Sequence, residues 1–300
     1  MKVFILANPA SGSGRGRSTC DSVQEVLNRQ HIPYDFFMTS GKNQEASLVS
    51  QIFPQLTADD RLLIIGGDGT LSLVLDSLPA EIPFGFIPAG SGNDFARGSR
   101  LSFNTADALD TALHGQPQDF YVIHYDDGAQ DLHGLAVNNI GIGLDAAIVK
   151  ATNESRLKPF LNKIKLGQLS YLLSALTVLF KKKPFAVNVN DDSFDNAFLF
   201  TLTKHPYFGG GIKIAPEADN TDNLIHLVEV DNLPKWHFPS LIKKILSGKH
   251  LTDKYVHTRV ATDFQLSVSP TQPVQIDGEV TQLTEDTVLQ LTVEKRTIFK

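Results

Sequence analysis

Four short apolar runs, VFILA (3–7), YDFFM (34–38), RLLIIG (61–66) and PFGFI (83–87), each lead into a loop of small residues: NPASG, MTSG, GGDGT and PAGSGND. Helix-length segments such as STCDSVQEVLNRQ and QEASLVSQIFPQL lie between them. Strand and helix in alternation bury their apolar surfaces as a parallel sheet covered by helices on both faces. Ligands of such sheets sit beyond the carboxyl ends of the strands, where all four loops fall. Residues 1–118 are therefore expected to form an α/β domain with its site in those loops.

After Gln118 the pattern changes to short strands with turn signals: DFYVIHY, LHGLAVNNIG, FAVNVN, AFLFTLT, LIHLVEV, FQLSVSP, PVQIDGEV and VLQLTV. This predicts a mainly antiparallel second domain over 119–293, a sandwich or barrel. Helical insertions are expected at Pro159–Phe180 and Pro234–Leu246. No internal repeat or low-complexity linker separates the halves, and a cleft between them is the expected site.

Composition removes several function classes. A net charge of −6 argues against indiscriminate binding to nucleic acid. Cys20 is the single cysteine, so no intrachain disulfide forms, and the nine histidines show no zinc-type spacing; both fit a reducing cytoplasm. The most lipid-like run, Leu166–Phe180, is broken by Gln168, Ser170 and Ser174. It falls short of the roughly 18–20 apolar residues that span a bilayer. The leucine stripe Leu169, Leu172, Leu173, Leu176, Leu179 and Phe180 reads first as core. With Lys158, Lys163, Lys165 and Lys181–Lys183 around it, it is also a candidate peripheral membrane contact.

The loops carry the chemistry. Gly66, Gly67 and Gly69 allow close backbone approach, and the helix expected after them offers unpaired N–H groups to a phosphate. Asp68 would repel a bare phosphate. It fits if a divalent cation lies between them or if the acid has chemistry to do. An isolated Asp-Gly is also a frequent tight turn, but the second loop, with Gly90, Gly92, Asn93 and Asp94, repeats the design. The usual nucleotide fingerprints fail: there is no Walker loop, and GSGRG lacks the G-x-G-x-x-G spacing, with Asp35 inside a strand. Arg15 and Arg17 remain as charge partners for a phosphate.

NPASG, GGDGT, PAGSGNDFAR, GIGLDA, PYFGGGIKIAPEA and QIDGEV occur in the order in which they stand in the diacylglycerol kinase catalytic-domain family, which the chain resembles over essentially its whole length. The similarity is strongest to the soluble bacterial lipid kinases; sphingosine and ceramide kinases are more distant members. GGDGT alone is shared with NAD kinases. The resemblance implies an N-terminal parallel-sheet domain that binds ATP, a C-terminal β-sandwich that helps form the lipid site, and a final segment, 294–300, returning to the first domain. Nucleotide contacts carry over to Asn8, Pro9, Ala10, Ser11, Gly12, Thr39, Gly66, Gly67, Asp68, Gly69, Thr70, Leu71, Ser72, Ser91 and Asn93. Asp68 and Asp94 would organise Mg2+ and phosphates, with Asp119 a weaker third, and Glu279 would deprotonate the lipid hydroxyl. A structural Mg2+ would be held by Asp222 and by carbonyls near Asp219 and Leu224.

Three departures stand out. Ser91 replaces the commoner threonine. Lys204-His205 stands where an asparagine-glycine pair is common. Asp222-Asn223 replaces aspartate-glycine, with asparagine able to take positive φ in its place. Asp277-Gly278 is a hairpin signal on its own, and a hairpin tip can still present Glu279. The expected activity is ATP- and Mg2+-dependent phosphorylation of a lipid hydroxyl, diacylglycerol first, at a membrane surface and by a homodimer. The alternatives are phosphatidylglycerol, a sphingoid-type lipid or NAD as acceptor, or a silent nucleotide- or lipid-binding regulator.

Overall fold

The computed structural model describes residues 1–41, 43–128, 132–144, 146–147 and 183–300. The leucine stripe and most of the insertion around it lie outside these residues. Two compact units divide the chain: residues 1–121 with 294–300, and residues 122–293. The chain passes from one to the other within a strand each time, β5 (Pro117–Asp126) on the way out and β17 (Leu289–Phe299) on the way back.

In the first unit, β1 (Val3–Ala7), β2 (Tyr34–Met38), β3 (Arg61–Gly66) and β4 (Phe84–Pro88) form a parallel sheet in the order β2-β1-β3-β4. Ile5 lies opposite Leu63, and Leu63 opposite Gly85. β1 and β4 are buried throughout, as continuous apolar runs in parallel sheets are. One face packs Val3, Ile5, Leu63 and Ile65 against Val23 and Leu27 of α1 (Ser11–Arg29) and Leu109 and Leu113 of α5 (Thr105–His114). A side chain at Gly85 would collide with Ala112 at 2.4 Å, so glycine sets how closely α5 lies on the sheet. α2 (Glu45–Ile52) and α3 (Asp68–Ser77) complete the layers. Phe95, in the short helix α4 (Asp94–Gly98), meets Phe86 and Phe120 edge-on at 5.7 and 5.3 Å and ties the fourth loop to the core.

α1 does not begin as an ordinary helix. Gly12, Ser13 and Gly14 take φ of 59, 60 and 94°, three successive left-handed residues. The Gly12 turn brings the backbone so near Ala89 that an added Cβ would lie 2.2 Å from its carbonyl oxygen.

The second unit is antiparallel. Its strands are β6 (His133–Ala136), β7 (Asn139–Gly143), β8 (Phe185–Val189), β9 (Asp192–Thr203), the short pair β10 (Tyr207–Phe208) and β11 (Ile212–Lys213), β12 (Ile225–Asp231), β13 (Val256–Ala261), β14 (Phe264–Ser269), β15 (Gln272–Ile276) and β16 (Glu279–Leu283). β9 is the organiser, pairing with β8, β7 and β12. Alternation along β12 sends Leu227 into one core and Val228 and Val230 into another, as expected of a sandwich layer. The expected helix at 234–246 is a 3-10 turn, Lys235–His237, followed by α6 (Phe238–Leu246), which buries Phe238 and Leu241 in the second of these cores.

Candidate active site

The loops of the first unit meet at the carboxyl ends of the strands. Asn8, after β1, donates from Nδ2 to Thr70 Oγ1 at 3.0 Å and accepts the Ala10 N–H on Oδ1 at 3.0 Å. The Ser11 hydroxyl lies 3.5 Å from the same Thr70 oxygen. NPASG and GGDGT are thus joined side chain to side chain. GGDGT and PAGSGND meet backbone to backbone: a Cβ on Gly90 would lie 2.5 Å from Gly67 Cα. Glycine is required at 90, and a side chain at 67 would press on Gly90 Cα at 3.0 Å. The Arg15 guanidinium donates to the Gly90 carbonyl at 3.0 Å and sets a cation over the junction.

Asp68 opens α3, where the helix dipole favours an anion. Its carboxylate accepts the backbone N–H groups of Asp94 and Phe95, both at 3.1 Å. One acid therefore caps the helix of the next loop, across 26 residues of sequence. Asp94 is nearly buried and pairs through Oδ1 with Arg97 Nη1 at 2.7 Å, and Arg97 also donates to the Gly92 carbonyl. Asn93 is left-handed at φ 52° and is 2% exposed. Its Nδ2 donates to the Gly90 carbonyl, while its Oδ1 has no hydrogen-bond partner among the described residues. An orphaned amide oxygen in the loop that holds Asp94, whose backbone N–H the Asp68 carboxylate accepts, is a donor of the kind a hard cation such as Mg2+ takes.

The other expected nucleotide residues divide by exposure. Thr39 is buried at the end of β2, its N–H bonded to the Ala7 carbonyl. Leu71 and Ser72 are buried in α3. Ser91 and Gly69 are exposed. Asp119 is exposed and held by Lys295 and Thr297, whose hydrogen bonds lower its pKa. No contact ties it to Asp68 or Asp94 among those of the described residues.

Glu279 belongs to the second unit. Asp277 (φ 47°) and Gly278 (φ 92°) form a two-residue turn between β15 and β16, with Ile276 opposite Glu279. This is the left-handed pair that tight hairpins need. The Asp277 carboxylate receives three backbone N–H groups, from Val137 at 2.6 Å, Asn138 at 2.8 Å and Asn139 at 3.0 Å. Glu279 stands exposed next to this braced tip. Sequence reasoning assigned Asp277 only to the turn; its bonds span up to 140 residues and leave no local signal.

The structural metal expected at Asp219, Asp222 and Leu224 meets an obstacle. Lys204 is fully buried, and its ammonium donates to the Asp222 carbonyl at 2.8 Å, the Asp222 carboxylate at 3.2 Å and the Leu224 carbonyl. The Asp219 carboxylate accepts the Thr221 N–H. A dication does not fit among these oxygens while an ammonium stands there. Burial pushes the Lys204 ammonium below the ordinary lysine range, and Asp222 pulls it back up. Asn223 does not take a positive φ; an Asx turn from Asp222 Oδ1 to the Leu224 N–H closes the loop instead. Elsewhere in the unit, Glu229, Asp231 and His257 bring ligand-type atoms within 4.8 Å of one another on β12 and β13.

Residues 2–125 match the family model of the diacylglycerol kinase catalytic domain, and residues 138–292 match that of the YegS C-terminal NAD kinase beta sandwich-like domain. A Bacillus subtilis (strain 168) protein, "Putative lipid kinase YtlR", is 30% identical over 92% of this chain and 93% of its own. The chain belongs to the diacylglycerol kinase catalytic-domain family. A Mycobacterium tuberculosis (strain ATCC 25618 / H37Rv) relative named diacylglycerol kinase is 26% identical over 87% of this chain and 84% of its own. A crystal structure from Bacillus anthracis str. Sterne, described as a "putative diacylglycerol kinase", superposes with a TM-score of 0.76 at 20% identity, covering 99% of this chain and 96% of that one. The fold is that of these bacterial kinases: a parallel-sheet unit followed by an antiparallel sandwich. Membership makes the chain a lipid-kinase homologue, with the nucleotide use that kinases entail.

Proposed function

We propose that this protein is an ATP- and Mg2+-dependent lipid kinase that transfers the γ-phosphate to the free hydroxyl of diacylglycerol, giving phosphatidic acid. The observation that carries the reading is the Gly67–Gly90 contact with Asp68 bridging both loops. It is a phosphate cradle with an acid built into it. The N–H groups at the start of α3 and the Arg15 guanidinium bind and orient the triphosphate. Asp68, Asp94 and the Asn93 amide oxygen would hold Mg2+, which when bound neutralises phosphate oxygen charge. Glu279 takes the proton of the acceptor hydroxyl. Its exposure suits a group that must meet a substrate, and the Asp277 brace fixes the strand end that carries it. Phosphoryl transfer needs little more than positioning and charge neutralisation, which these groups supply.

The test offers labelled ATP and Mg2+ with mixed micelles of diacylglycerol, phosphatidylglycerol or a sphingoid base, and separately NAD. Label on diacylglycerol is expected. Label on NAD alone overturns the lipid reading, and nucleotide binding with no transfer to any acceptor replaces it with a silent regulator.

A further inference from the structure

α6 packs its inner face through Phe238 and Leu241, with the Phe238 ring 5.6 Å from that of Phe198. The outer face carries what a water-exposed helix ordinarily avoids. Trp236, on the turn that leads into α6, is 77% exposed, and Leu246 at its end is 72% exposed. Pro239 is exposed between them. Helical spacing puts Pro239, Lys243 and Leu246 on one stripe, opposite Leu241.

Charge singles out the same segment. The chain as a whole carries −6, yet residues 232–262 contain Lys235, Lys243, Lys244, Lys249, Lys254 and Arg259 against Asp253 alone. That acid is not on the surface: Asp253 is buried and receives Lys244 Nζ at 2.8 Å and His237 Nε2 at 2.9 Å. The same network fixes His237, whose ring lies 5.6 Å from Trp236. Lys235, Lys243, Lys249 and Lys254 remain exposed. A tryptophan and a leucine exposed in a lysine-rich stretch whose single acid is buried have the composition of an interfacial helix rather than of a solvated one.

We propose that the outer face of α6, with Trp236, Pro239 and Leu246 among Lys235, Lys243 and Lys249, is the site at which this protein docks on an anionic phospholipid surface. Trp236 and Leu246 enter the headgroup boundary and the lysines pair with lipid phosphates. The proposal rests on the acceptor being a membrane lipid, and it makes delivery to the lipid surface a property of this helix.

Trp236 is the only tryptophan in the chain, so intrinsic emission reports on this face alone. Vesicles of phosphatidylcholine with phosphatidylglycerol are expected to shift its emission to the blue, and brominated acyl chains to quench it. Vesicles of phosphatidylcholine alone should do neither. Each lysine near an anionic surface is worth up to roughly fivefold in binding, so replacing Lys235, Lys243 and Lys249 together by Ser should weaken sedimentation with anionic vesicles by about tenfold or more. Trp236→Ser, checked for folding by circular dichroism, should lose activity on vesicle-borne diacylglycerol and keep it on a short-chain, monomerically dispersed analogue. Emission unmoved by anionic vesicles, or moved equally by neutral ones, overturns the proposal. So does a blue shift that grows with protein concentration alone and tracks dimer in ultracentrifugation, because a second copy then covers the face. An inserting Trp236 in a protein that phosphorylates no lipid sinks the kinase reading and leaves the docking site standing.

Discussion

Replacing Lys204 by methionine keeps an unbranched stem of similar length and removes the charge. Three oxygens lose their donor: the Asp222 and Leu224 carbonyls and the Asp222 carboxylate. Breaking one partner of a buried ion pair costs about 3–5 kcal/mol. The Asp222 side chain is 41% exposed and regains water, which places the expected loss near the lower end, about 3 kcal/mol. At roughly 2–4 °C per kcal/mol for a unit of 150–250 residues, the melting temperature should fall by about 6–12 °C. The assay is thermal unfolding followed by circular dichroism, with chelator-treated protein and added MgCl2 as separate arms. Lys204→Ala, which opens the space as well, should gain a saturable Mg2+ stabilisation that wild type lacks. A Lys204→Met loss below about 1 kcal/mol refutes the reasoning. So does an Mg2+ stabilisation of wild type that disappears in Asp222→Ala, since the ammonium would then share the loop with a metal.

Asp68→Asn and Glu279→Gln should each lower turnover by about two orders of magnitude or more, read as kcat on diacylglycerol micelles; near-normal turnover in either folded variant rejects its role. Asp277→Ala orphans three backbone donors and forces alanine into a left-handed turn, for an expected loss of about 2–4 kcal/mol in urea unfolding. A loss within about 0.5 kcal/mol would mean that the brace is decorative. Burial, and then the neighbouring Asp231 charge, raise Glu229 from 4.5 to about 8. A carboxyl whose folded pKa is raised stabilises fully below its unfolded value and loses that contribution as pH climbs. Wild type should therefore lose stability relative to Glu229→Gln between about pH 4.5 and 8, and parallel pH curves for the two proteins would rule this out.

What could be read in advance follows the range of the interactions. The parallel sheet was legible because VFILA and RLLIIG are apolar on both faces, and the meeting loops because Gly67 and Gly90 have few uses other than close approach. A helix was expected over 234–246, and α6 fills its second part. Interactions between distant side chains were not legible. LIHLVEV reads as a strand, yet Glu229 is fully buried with both oxygens unpartnered among the described residues, because it shares the face of β12 that carries Ile225 and Leu227 into the core. Lys204 read as a local departure, and only the fold brings its ammonium onto residues 18 and 20 positions away. The start of α1 was missed for a different reason: Ser13 takes a left-handed φ that its residue type disfavours, held between two glycines.

The return of the chain through β17 bears on how the molecule is made. Arg296 is buried, and its guanidinium donates to the Leu75 and Leu78 carbonyls at the far end of the helix that begins with Asp68. Ile298 pairs with Phe84 of β4, and Lys300 exchanges backbone bonds with Gln116. During synthesis, residues 1–121 emerge first but must wait for the 172 residues of the second unit before this support arrives. The helix that Asp68 opens thus receives its last support from residues translated after the whole second unit. A ribosome that stalls inside the sandwich leaves a first unit without its closing strand, and such a product should be sorted by proteases and chaperones as unfinished.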